Sequence, residues 1–210
     1  MIKLSPSLLA ADPACLGQEA DRAVAAGCDE LHFDVMDGHF VPNLTFGPHI
    51  LAAIKKRSSV PMDVHLMLSD PLGFVDAFAD AGADILTIHA EANDLAAALK
   101  RIRERGLKVG VSLRPATSVD GLRDLLPLID RVLIKTVEPV FGGQSIQLDT
   151  LHKARELRAL GFQGDIEADG GIKESNMKQV TDMGANVLVM GTAFFGAADP
   201  ADLARKVHAL

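Results

Sequence analysis

His32-Phe33-Asp34 closes a short apolar run, Glu30–Val35, and leads straight into Met36-Asp37-Gly38. Alternate side chains of a strand share a face, so on a strand His32 and Asp34 point together and Phe33 points away. Other apolar runs end in His65, in His89 with Glu91 close behind, in Arg114, in Lys135 with Glu138, and in Asp169. Brought to one point, His32, Asp34, His65 and Asp169 supply two imidazoles and two carboxylates. That mixed set suits one divalent ion such as Zn, Mn, Fe or Co; it has neither soft thiolates nor the all-oxygen cage that Ca takes. Any one of these histidines alone would read more readily as a hydrogen-bonded structural residue than as a ligand. A carboxylate on a buried strand is costly without a partner, however, and the four residues together favour the ion.

Glycines cluster near the later strand ends: Gly142-Gly143, Gly170-Gly171 and Gly191, which precedes Thr192. Each frees backbone N–H groups to approach an anion, and a phosphate site built from the last loops of a barrel uses that freedom. A single pair would mean only a turn; three successive loops point to phosphate. Met36 and Met67 beside the candidate ligands suit either an apolar lining or plain packing, and Asp63 reads as a structural polar partner one layer below His65.

The elements that must position these groups alternate along the whole chain. Strand-like runs are Leu4–Leu8, Glu30–Val35, Met62–Met67, Ile85–His89, Lys108–Leu113, Val132–Val137, Asp165–Ala168 and Val187–Met190. They are rich in Val, Ile and Leu, as parallel strands covered on both faces should be. Helical spacing follows Asp12-Pro13 to Ala26, Asp70-Pro71 to Ala81, Asn93 or Asp94 to Gly106, Asp149 to Leu160, Ser175 to Gly184, and again from Asp199-Pro200. Acid-Pro starts and Gly stops bound several of these segments. The phrase AAGCDEL returns as DAGADIL and DMGANVL, marking one helix-to-strand joint three times. The alternation predicts an α/β fold, a single-domain (β/α)8 barrel over residues 1–210. The competing open doubly wound sheet would want G-x-G-x-x-G after an early strand, where this chain has Ser5-Pro6-Ser7.

Composition narrows the function. The 210 residues are 48% hydrophobic and 23% charged, with 21 Lys and Arg against 28 Asp and Glu, a formal charge of −7. An acidic surface attracts neither nucleic acid nor anionic lipid. Without Trp or Tyr, platforms for stacking bases are scarce. Cys15 and Cys28 suggest no disulfide framework, and the N-terminus is too soon interrupted by Asp12-Pro13 for a secretory signal. The expectation is a soluble cytoplasmic protein that binds a small molecule, with neither nucleic-acid nor membrane partners.

At these residues the sequence resembles the ribulose-phosphate 3-epimerase family. The most specific stretch runs from His32 through Asn43 and on through Leu44-Thr45-Phe46-Gly47-Pro48. Ser5-Pro6-Ser7-Leu8-Leu9, Asp63-Val64-His65-Leu66-Met67, Ile88-His89-Ala90-Glu91, Phe141-Gly142-Gly143-Gln144, Asp169-Gly170-Gly171-Ile172 and Gly191-Thr192-Ala193-Phe194-Phe195 support it. The resemblance implies an isomerase that interconverts D-ribulose 5-phosphate and D-xylulose 5-phosphate. It implies one divalent metal ion on His32, Asp34, His65 and Asp169, with Asp34 and Asp169 as the acid/base pair and Ser7 and His65 touching substrate. It further implies that phosphate rests on Gly142, Gly143, Gly170, Gly171, Gly191 and Thr192, and that the protein is a homo-oligomer. The chemistry agrees: inverting a carbon beside a ketone needs a base on one face and an acid on the other, with a Lewis acid to hold the developing charge.

Three positions depart from the family's habit: Lys135 for Met, Val140 for Gly, and Arg114 for Asn. The first two loosen the choice of sugar, so another ketose phosphate such as D-allulose 6-phosphate stays open. A desolvated lysine can also form a Schiff base, which makes Lys135 the nucleophile of an alternative aldolase reading.

Overall fold

The computed structural model describes residues 1–138 and 145–210. Its strands are β1 Lys3–Pro6, β2 Leu31–Met36, β3 Met62–Met67, β4 Ile85–His89, β5 Lys108–Leu113, β6 Arg131–Lys135, β7 Asp165–Asp169 and β8 Val187–Met190. All pair in parallel, in the order β1-β8-β7-β6-β5-β4-β3-β2, and a parallel bridge from Ser7 to His32 joins the two ends. The sheet is thereby a barrel, as the alternation of elements predicts. Around it lie α1 Leu16–Ala25, α2 Pro48–Lys55, α3 Val75–Asp80, α4 Leu95–Glu104, α5 His152–Ala159, α6 Met177–Asp182, α7 Thr192–Phe195 and α8 Pro200–His208. Among the described residues no helix is long and apolar enough to cross a membrane.

Local signals explain much of this. Asp199 accepts a hydrogen bond from the Asp202 N–H at 2.9 Å, with Pro200 opening α8. The thrice-repeated joint has one physical cause: Gly27, Gly82 and Gly184 have φ of 92°, 101° and 117°, a left-handed helix stop that suits glycine. Two connections carry no predicted helix. Between β5 and β6 the chain makes only short 3-10 turns, Val119–Leu122 and Leu126–Leu128, and Pro127 denies a longer helix there its backbone donor. Helix α2 follows a Gly47-Pro48 start that lacks an acidic cap.

The strands divide the core into two regions. Outward residues such as Phe33, Val64, Leu66, Ile88 and Ile134 pack under the helices and are essentially fully buried. Many inward positions are polar: Ser5, His32, Asp34, Asp63, His65, Thr87, Ser112, Glu167 and Asp169 are all buried, beside apolar Leu133, Val187 and Val189. Space there is tight. A Cβ on Gly110 of β5 would meet Thr87 Oγ1 at 2.0 Å and Thr87 Cβ at 2.8 Å. Gly110→Ala is therefore expected to destabilise the barrel by about 1–3 kcal/mol, the usual cost of overpacking. Urea denaturation measures this directly, and an unchanged midpoint would contradict it.

Candidate active site

Parallel register places the candidate ligands. Asp34 on β2 lies opposite His65 on β3, and Lys135 on β6 lies opposite Asp169 on β7. One ligand atom from each of His32, Asp34, His65 and Asp169 falls within 4.8 Å of all the others. Asp34 Oδ1 is the focus, 3.2 Å from His32 Nε2 and 3.1 Å from His65 Nδ1. Asp169 Oδ2 stands 4.0 Å from His65 Nδ1. Ser7 donates its hydroxyl to Asp34 Oδ2 at 2.6 Å.

A count of protons shows what the cluster lacks. His32 Nδ1 is 2.7 Å from Asp63 Oδ2, so that nitrogen carries the hydrogen and donates it. The buried His32 Nε2 is left facing Asp34 without a hydrogen-bond partner. His65 extends the problem through three contacts: Nδ1 to Asp34 at 3.1 Å, Nε2 to His89 Nε2 at 2.9 Å, and His89 Nδ1 to Glu91 Oε2 at 3.0 Å. Three contacts need three hydrogens, and two neutral rings have only two. Burial pushes both imidazoles down, His89 to about 4, so neither readily takes the third. A cation among His32 Nε2, Asp34 Oδ1 and His65 Nδ1 resolves the shortage, because each of these then presents a lone pair to it. The donor set therefore fits a divalent ion on the molecule's own geometry.

Electrostatics agree with that fit. Burial works to raise the Asp34 carboxyl, but His32 and His65 beside it outweigh burial and hold it well below the usual carboxylate range. Burial likewise presses His32 down, and Asp34 and Asp63 together hold it well above its ordinary value. In the metal-free site a proton on His32 Nε2 thus faces Asp34, and a bound ion would displace it. Glu91 is burdened by burial too, yet His89, Thr117 and the Arg114 N–H bring it down to about 2. That pairing keeps the hydrogen on His89 Nδ1 and hence orients His65.

A cavity of about 820 Å³ opens over the cluster, lined by Ser7, Asp34, Asp169 and Lys135 among others. Gly170, Gly171, Gly191 and Thr192 border the same cavity, as do Met36 and Met67. Gly170 has φ of 125°, and a Cβ on it would strike Val137 Cγ2 at 2.4 Å, so glycine is required there. Gly142, Gly143 and Val140 lie outside the described residues.

Three arrangements escaped the reading of the sequence. His89 and Glu91 stood out as strand-end residues with no assigned part, and they form the relay behind His65. Lys135 was marked as an unusual cation, and its partner proves to be Asp169 at 2.5 Å. Asp37, in the most specific stretch, builds the loop after β2: its carboxylate accepts the N–H groups of His39, Phe40 and Ser69 at 2.7–2.8 Å.

Fold and donor set together define a (β/α)8 barrel whose mouth suits a divalent cation beside a glycine-bordered cavity. The chain belongs to the ribulose-phosphate 3 epimerase family, which it matches over residues 3–195. It is 43% identical over 205 residues to the ribulose-phosphate 3-epimerase of Bacillus subtilis, covering 95% of this chain and 94% of that protein. Its identity to the Synechocystis protein of the same name is 45% over 208 residues, covering 96% of this chain and 90% of that one. The name these relatives share is that of an isomerase acting on a carbohydrate phosphate. Among solved structures, 3-hexulose-6-phosphate synthase from Salmonella typhimurium superposes with a TM-score of 0.77 at 21% identity, over 98% of this chain and 96% of that one. That last likeness concerns the fold alone.

Proposed function

We propose that this protein interconverts D-ribulose 5-phosphate and D-xylulose 5-phosphate by moving the proton on C3. The observation that carries this reading is the convergence of His32, Asp34, His65 and Asp169 within 4.8 Å, in a chain of this family. Asp34 and Asp169 come from β2 and β7, with β1 and β8 between them, so the two carboxylates approach the cavity from different directions. One takes the C3 proton and the other returns a proton to the opposite face. His32, Asp34, His65 and Asp169 are the residues that would hold the ion, whose bound chemistry is that of a Lewis acid for the oxygen beside the reacting carbon. Ser7 keeps Asp34 aimed through the bond to Oδ2. Gly170, Gly171, Gly191 and Thr192 border the end of the cavity assigned to the phosphate, where backbone N–H groups suit an anion.

Zinc, manganese, iron and cobalt all fit two imidazoles with two carboxylates. A cytoplasmic setting goes with the free thiols of Cys15 and Cys28. D-Allulose 6-phosphate remains the alternative sugar. The salt bridge from Lys135 to Asp169 weighs against the aldolase reading, since a Schiff base needs a free amine. The test is proton NMR of D-ribulose 5-phosphate in deuterated buffer. The expected result is xylulose 5-phosphate with deuterium at C3, lost on chelation and restored by added metal. Unchanged ketose, with no solvent deuterium entering C3 in metal-loaded protein, overturns the proposal.

A further inference from the structure

The two carboxylates of the cluster are not equivalent. Asp34 Oδ1 is the point on which both ring nitrogens converge, at 3.2 and 3.1 Å. Asp169 stands apart: its Oδ2 is 4.0 Å from His65 Nδ1 but 2.5 Å from Lys135 Nζ. Lys135 and Asp169 are register partners on adjacent strands, so the backbone ladder itself sets them side by side. Their side chains are only 7% and 12% exposed, which leaves little water to loosen the pair. The oxygen that Lys135 holds is also the Asp169 oxygen nearest His65. An ammonium and a divalent ion that both draw on one carboxylate repel each other and compete for its charge.

We propose that Lys135 is a built-in competitor for Asp169. His32, Asp34 and His65 then form the standing grip on the ion, and Asp169 is shared between the ion and the ammonium. The inference rests on the cation reading above and adds a division of labour to it. Sharing Asp169 in this way lowers metal affinity. Lys135 acts here as a positioning residue, through Asp169.

The test is calorimetric titration of Mn2+ and Zn2+, with a competing chelator, into wild type, Lys135→Met, Asp169→Asn and the double variant. Lys135→Met is expected to tighten binding by about 10- to 100-fold, the usual reach of residues just behind a metal ligand. In the Asp169→Asn background the same change is expected to shift affinity by no more than about twofold, as for uncoupled substitutions. Lys135→Gln serves as the second variant should the methionine protein fold poorly, and it is expected to shift affinity in the same direction. A tightening is a gain that mere damage to the fold does not produce. Unmoved or weakened binding in both Lys135 variants, with wild type binding normally, overturns the inference alone. So does a gain that persists undiminished without the Asp169 carboxylate, since simple charge repulsion then explains it. A wild-type chain that binds neither ion overturns the cation reading itself, and this inference with it.

Discussion

Asp34→Asn is expected to lower kcat for epimerisation by about 10⁴-fold, the upper end of what one general acid or base contributes. The loss sits at that end because one side chain has two duties. Asp34 Oδ1 faces both ring nitrogens, and its carboxylate is a candidate base over the cavity. Asparagine keeps the shape and the Ser7 contact but offers neither negative charge nor basicity. Asp169→Asn provides the contrast. If the two carboxylates serve opposite faces, as proposed, it should stop deuterium exchange from one epimer while leaving exchange from the other measurable. Coupled assays and NMR wash-in read both effects, with circular dichroism confirming an intact barrel. An Asp34→Asn protein that turns over within tenfold of wild type would remove Asp34 from the mechanism.

The second large effect lies at the opposite end of the barrel interior. Arg131 is 2% exposed and pairs with Glu30 at 2.5 Å, Asp63 at 3.3 Å, Asp165 at 3.2 Å and Glu167 at 3.6 Å. Arg131→Met strands the buried carboxylates of Glu30, Asp63 and Glu167, and leaving such charges uncompensated costs about 3–5 kcal/mol. The pH dependence has a definite sign. Burial first, and Asp63 second, push Glu167 up to about 8, with Arg131 pulling the other way. A carboxyl raised in the folded state binds its proton more tightly there than when unfolded, so it lowers stability as pH rises toward that value. Without Arg131 the rise is larger, and Asp63 loses the guanidinium that helps hold it below its usual range. The deficit of Arg131→Met should therefore be greatest above about pH 8 and shrink as pH falls. Urea denaturation across pH checks both magnitude and slope; a deficit that grows on acidification would contradict the assignment. Asp63 links the two regions, because the same carboxylate touches Arg131 and fixes the hydrogen on His32.

How much of this was legible in the sequence follows from the reach of each signal. The two-residue period of a strand puts His32 and Asp34 on one face, and polar residues at strand ends marked His65 and Asp169. The structure brings all four together. Local chemistry also announced the helix stops, where Gly27, Gly82 and Gly184 take positive φ. What depends on register between strands was not readable, because neither strand's own pattern encodes its partner's offset. The salt bridge from Lys135 to Asp169 and the ring contact from His65 to His89 are both of this kind. Asp37 stayed hidden for another reason: its role is to satisfy three backbone N–H groups of a loop, and a carboxylate at a turn gives no sign of how many it will serve. Helix α2 escaped because its Gly47-Pro48 start lacks the acid-Pro signal that opens several of the other helices.

Two rings and a carboxylate are proposed to present their lone pairs to one ion. Anomalous diffraction at the absorption edge of Mn or Zn, from crystals grown with that metal, tests it most directly. The expected result is a single strong peak per chain among His32 Nε2, Asp34 Oδ1 and His65 Nδ1, absent from a His32→Gln crystal. Full loading with no density between these three atoms, or a peak unmoved by the substitution, would contradict it.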